Sequence, residues 1–167
     1  VLHVMRPVEG GIAFEISGMH AVEDYIISRL QMYLQIYFHP VSRAMEVILD
    51  HLLMRAKWLY QHPSQYQPEF MPRLLMPFFN GHYDLNDYLT LDDGVLTTYF
   101  IHWMNSSDKI LSDLAQRFIN RRPFKSAVYD QQTRFMLPKL RELITTAGFD
   151  VDYYTAVDSS YKLPYDS

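Results

Sequence analysis

Hydrophobic and polar positions change their period several times along these 167 residues, and each change marks an element. From Val1 to Ile16 the pattern alternates, with Glu9-Gly10-Gly11 between Leu2-His3-Val4 and Ile12-Ala13-Phe14, which predicts a small β-hairpin. From about Met19 to Gln61 apolar residues recur at helical spacing. Pro40 removes a backbone donor and clashes one turn back, so a kink or break is expected near Tyr37 to His39. Beyond it, Arg43, Glu46, Asp50 and Lys57 mark a wet face, and Ala44, Ile48, Leu52 and Leu59 a buried one. Four prolines between His62 and Pro77 predict an irregular stretch with one short helix. Leu85 to Thr90 is a short element. Thr90-Leu-Asp-Asp93 resembles a capping box opening a helix through Met104, and Asn105-Ser-Ser-Asp108 caps another that ends before Pro123. The aromatic run Thr98 to Trp103 is expected to face a core.

After Arg121-Arg122-Pro123 the character changes. Phe124 to Tyr129 reads as extended, Pro138 to Ala147 as a helix stopped by Gly148, and Tyr153 to Val157 as extended again. The expected fold is mainly α, with an N-terminal β-hairpin and a small C-terminal α/β unit. Its expected segments are a hairpin at 1–18, a helical part at 19–123, and the start of a small α/β domain at 124–167.

Composition narrows the functional classes. Nearly half the residues are apolar, enough for a buried core. The formal net charge of -4 argues against a general nucleic-acid binder, which carries a basic excess. The absence of cysteine excludes disulfides, thiolate metal sites and thiol catalysis, and fits a reducing, cytoplasmic setting. No uncharged apolar run approaches the length of a membrane span. The chain begins Val-Leu-His-Val and ends Pro-Tyr-Asp-Ser, which reads as a segment of a longer polypeptide.

Candidate chemistry is sparse. None of the seven histidines lies in a strong metal-binding pattern such as His-Glu-x-x-His. His20, Glu23 and Asp24 could share a metal across a helical turn; a first turn whose acidic groups favour the helix dipole explains them as well. His82-Tyr83-Asp84 falls in a loop. Arg121-Arg122 reads as a solvated or capping pair near a helix end, and His3, Arg6 and Lys125 are further basic groups that an anion could use. No nucleophile elbow, P-loop or dinucleotide fingerprint is present.

Arg29, Tyr33 and Tyr37 stand out because their i, i+4, i+8 spacing stacks them on one helix face. A guanidinium followed by two phenols suits a phosphate and a sugar or base. Arg29 could equally pair with a distant carboxylate or extend its head to solvent, and the tyrosines could be core or interface aromatics.

Val4-Met-Arg-Pro-Val-Glu-Gly-Gly-Ile-Ala-Phe14, the run Met19 to Pro40, Ile119-Asn-Arg-Arg-Pro-Phe-Lys125 and Tyr153-Tyr-Thr-Ala-Val-Asp158 together resemble bacterial HD-domain phosphohydrolases. These are relatives of the SAM-and-HD-domain deoxynucleoside triphosphate triphosphohydrolases. The resemblance implies hydrolysis of a deoxynucleoside triphosphate to deoxynucleoside and triphosphate. It also implies a divalent metal held by a histidine, a His-Asp pair and an aspartate. This sequence has no His-Asp dipeptide, so those ligands and the catalytic histidine are expected upstream of Val1, with neither metal ligands nor catalytic residues in this chain. By the same resemblance, Arg29 binds triphosphate, Tyr37 packs against deoxyribose, and Tyr33 occupies a pocket position that is histidine in the mammalian relative. Gln35 and His39 fall near a regulatory nucleotide site between subunits, which implies a nucleotide activator and a homodimer or homotetramer. Two other readings remain: an HD-type phosphohydrolase acting on another nucleotide phosphoester, and a non-catalytic helical oligomerisation module.

Overall fold

Val8 faces Gly11 across a two-residue loop, Glu9-Gly10, and Gly10 takes φ +84°, a conformation open to glycine. This pairing sets the register of strands β1 (Met5–Val8) and β2 (Gly11–Phe14), which run antiparallel with Met5 opposite Phe14. The hairpin therefore forms, but its first arm is Met5–Val8 and not Leu2–Val4. The two-residue loop sets equal arms, and the residues before Met5 curl into a 3-10 turn, with the Val4 N–H donating to the Val1 carbonyl. A second 3-10 turn at Ile16–Gly18 leads into helix α1 (Met19–Met32). Gly18 is buried against Val4; a Cβ there would come within 2.4 Å of a Val4 methyl.

The structure, a computed structural model, describes residues 1–158. Among these, Val1–Ser42 and Arg43–Asp158 form two compact units.

The helix does break where Pro40 requires it. α1 passes into a π-helical turn at Tyr33–Tyr37, closed by the Phe38 N–H donating to the Tyr33 carbonyl at 2.8 Å. Helix α2 then runs Pro40–Gln61 with proline in its first position, where a missing N–H costs nothing. The wider π turn was not foreseen. Such turns form where one extra residue must be absorbed into a helix.

In the second unit, α2 presents Ile48, Leu52, Ala56 and Leu59 to the core, all buried. Phe100 and Trp103 on α5 (Asp93–Trp103) and Leu111, Leu114 and Ala115 on α6 (Lys109–Ile119) complete it. Burying each of these larger side chains stabilises the fold by about 1.5–3 kcal/mol before chain entropy is counted. The core's polar atoms are satisfied: Trp103 Nε1 donates to Tyr60 Oη at 3.1 Å, and Tyr60 Oη donates to the Phe70 carbonyl at 2.6 Å.

Short helices α3 (Met76–Asn80) and α4 (Leu85–Thr90) bridge the proline-rich stretch and α5. α4 has a reciprocal capping box between Asp84 and Asp87. α5 is capped by Asp92, whose carboxylate accepts from the Val95 N–H at 2.7 Å, and not by Thr90. Thr90 instead closes α4, donating its hydroxyl to the Asp87 carbonyl. The cap expected across Asn105–Asp108 forms at Asp108, whose carboxylate accepts from the Leu111 N–H at 2.8 Å.

The expected C-terminal strand-helix-strand unit does not form among the described residues. Phe124–Tyr129 is irregular, α7 spans Met136–Thr146, and Val151–Tyr154 is one helical turn, α8. Two physical reasons are visible. The second unit offers no strand edge to pair with, and the Asp150 carboxylate accepts from the Asp152 N–H, which favours a turn. Residues 159–167 of the expected last segment lie outside the described residues.

Candidate functional site

The helical phase of α1, continued through the π turn, brings Arg29, Tyr33 and Tyr37 together. Arg29 Nη2 donates to Tyr33 Oη at 3.2 Å, and the guanidinium carbon lies 5.2 Å from the Tyr33 ring centroid. The Tyr33 and Tyr37 rings are 4.9 Å apart and tilted. Phe38 joins them, 5.8 Å from Tyr33. Sequence spacing did not single out Phe38; it enters because the π turn ends there and swings its ring toward Tyr33.

Arg29 and Tyr33 are half-buried, while Tyr37 is exposed. The result is a cation at one end of an aromatic ladder, with its fork partly oriented by a phenol. A guanidinium held in this way can meet two oxygens of a phosphate at once, and an exposed ring beyond it can pack on a flat or puckered ring. Gln35 and His39 are both exposed. The His39 Nδ1 accepts from the Val41 N–H at 3.2 Å.

The other candidates have local partners. His20 meets Glu23 at 3.2 Å, and both are exposed; because α1 begins at Met19, Glu23 and Asp24 lie beyond its first turn. His82 pairs with the Asn80 carbonyl. Arg6 bridges to Glu15 at 2.6 Å across the hairpin. Arg121 takes φ 52°, and the Arg121 and Arg122 N–H groups close the end of α6 on the Phe118 and Arg117 carbonyls. Among the described residues, no three His, Asp or Glu side chains gather as a metal-holding group. They do not fit a resident divalent metal.

The long-range polar contacts lie in the second unit and had no signal in the sequence. Arg55 makes a two-pronged pair with Asp108, at 3.1 and 2.6 Å, with side chains 16% and 14% exposed. Arg55 also lies over the rings of Trp58 and Tyr153. Arg43 pairs with Asp158 at 2.7 Å and also with Glu46.

Comparison with known proteins adds identity to this geometry. Residues 1–61, which include the Arg29 face, match the family model described as HD associated region. Over 167 residues the chain is 47% identical to the uncharacterized protein YwfO of Bacillus subtilis, a match covering 99% of this chain and 38% of that protein. It is also similar to a crystal structure of a phosphohydrolase from Bacteroides thetaiotaomicron, with 26% identity and a TM-score of 0.74 over 97% of this chain and 44% of that one. The chain thus spans less than half the length of either relative. These likenesses support a relation to HD-type phosphohydrolases. Among the described residues, no helix is long and apolar enough to cross a membrane.

Proposed function

We propose that this chain supplies the substrate-cradling portion of a deoxynucleoside triphosphate triphosphohydrolase, with Arg29 on the phosphates and Tyr37 on the deoxyribose. The observation that carries this reading is the Arg29–Tyr33–Tyr37 ladder, which lies within the stretch matched by the HD associated region. Arg29 would bind phosphate oxygens through its fork and offset charge that grows as the phosphoryl group is attacked. Tyr33, donating no charge of its own, would hold the guanidinium in position. Tyr37 would pack its ring on the sugar, where crowding disfavours a 2′-hydroxyl. The divalent metal implied by the family belongs, in this reading, to polypeptide outside these residues, because the described residues do not fit it.

Product identity tests the reading. The full-length polypeptide incubated with a deoxynucleoside triphosphate should release deoxynucleoside and inorganic triphosphate in equal amounts. Release of monophosphate or pyrophosphate instead would overturn the triphosphohydrolase assignment in favour of another phosphoester hydrolase.

A further inference from the structure

Where α2 and α5 end, the second unit keeps a cavity that shares no residue with the Arg29 face. Its volume is about 210 Å³, room for about seven groups the size of a water molecule at ~30 Å³ each. Tyr60, Tyr66 and Trp103 form its floor and are 9%, 8% and 1% exposed. The polar atoms of the floor are already engaged: Trp103 Nε1 donates to Tyr60 Oη, Tyr60 Oη donates to the Phe70 carbonyl, and Tyr66 Oη bonds Ser106 Oγ at 2.9 Å. The rim is different. Glu69, His102 and Asn105 line the cavity and are exposed. His102 lies flat on Phe70, with ring centroids 4.2 Å apart and planes 5° apart, and forms a wall. The Glu69 carboxylate and the Asn105 amide have no hydrogen-bond or ion-pair partner among the described residues.

The charge around this cavity favours a cation. Arg73 is the one lysine or arginine between Lys57 and Lys109, and it does not line the cavity. α5 ends at Trp103, which brings the partial negative charge of a helix C-terminus beside the floor. We propose that the cavity binds a free primary alkylammonium ion, its head at the rim between Glu69 and Asn105 and its short carbon chain over the aromatic floor. Two carboxylate oxygens and one amide oxygen match the three N–H donors of such a head. The head stays at the rim because a charge loses its hydration when buried, whereas the carbon chain gains by leaving water. A quaternary ammonium fits less well: it has no N–H to donate, and it needs open ring faces that this nearly covered floor does not offer. A lysine side chain of another protein would have to enter head first, which carries its charge past Glu69 and onto the floor.

Calorimetric titration of the full-length polypeptide with n-butylammonium chloride tests this. At about pH 8, where a primary amine is charged, binding should saturate with a dissociation constant in the millimolar range. Glu69→Gln should weaken it about tenfold or more, the loss of a charged hydrogen-bond acceptor, with an unchanged circular dichroism spectrum because Glu69 is exposed. Glu142→Gln, on α7 and outside the cavity, should leave the affinity as it was. Butan-1-ol lacks the charge, tetramethylammonium lacks the N–H donors, and lysine blocked at its α-amino and carboxyl groups cannot turn its chain inward. Each should bind about tenfold more weakly or worse. Absence of saturation up to about 50 mM n-butylammonium would overturn the proposal. So would full affinity in the folded Glu69→Gln protein, or equal affinity for any of the three control compounds.

Discussion

Arg29 and Asp108 show what one side chain decides in each of the two units. Arg29 lies on a helix of mostly exposed apolar neighbours, and its orientation toward Tyr33 gives that surface a chemical direction. Asp108 does the opposite work, for stability. Burial alone would raise its carboxyl, but the Arg55 guanidinium and the Leu111 N–H outweigh burial and hold it below the usual carboxylate range. A depressed carboxyl contributes stability above its ordinary value near ~3.9, and that contribution is lost as pH falls through the folded value. Asp108→Ala should therefore cost about 2–3 kcal/mol at pH 7, since it removes a helix cap and strands a half-buried guanidinium. Urea denaturation should show the wild type and the variant converging as pH drops below about 4.

Among the elements, the turn that leads into α1 leaves no room beside Val4 at Gly18. Gly18→Ala would drive a methyl into the Val4 side chain, and should destabilise the first unit by about 1–3 kcal/mol. Hydrogen exchange at the β1 and β2 amides, accelerated in the variant and unchanged on α6, would check it. Such contacts explain which features were legible in sequence. Pro40, Asp108 and Gly148 act within a few residues of themselves, so the helix break, the α6 cap and the α7 stop could be read directly. The buried stripe Ala44, Ile48, Leu52 and Leu59 was legible because amphipathic spacing repeats. The strands expected at Phe124–Tyr129 and Tyr153–Val157 failed because a strand needs a partner edge, and no local pattern reveals one. The pairs Arg55–Asp108 and Arg43–Asp158 join residues 53 and 115 positions apart, a separation only the folded chain closes. At the candidate site, spacing put Arg29, Tyr33 and Tyr37 on one face, but Phe38 entered through a π turn that no spacing rule anticipates.

At the scale of the whole molecule, alkali should loosen the second unit before it affects much else. Burial pushes the Tyr60 phenol up to about 12, against the pull of its Trp103 hydrogen bond, and Tyr154 is raised by burial and by Asp113. A raised phenol stabilises the fold fully below its unfolded value near 10, and that stability is lost as pH rises through the folded value. Absorbance at 295 nm should therefore show a late tyrosine class ionising together with loss of near-ultraviolet dichroism; ionisation of every tyrosine near pH 10 with the fold intact would contradict this. The larger question is whether a ladder on one helix is half of a nucleotide pocket, as the proposed function requires. The most direct measurement is kcat/KM for triphosphate release by the full-length polypeptide carrying Arg29→Ala, with circular dichroism to confirm folding. The account predicts a loss of about 100-fold or more, equivalent to about 2.7 kcal/mol of transition-state stabilisation. Near wild-type turnover in the folded variant would contradict it.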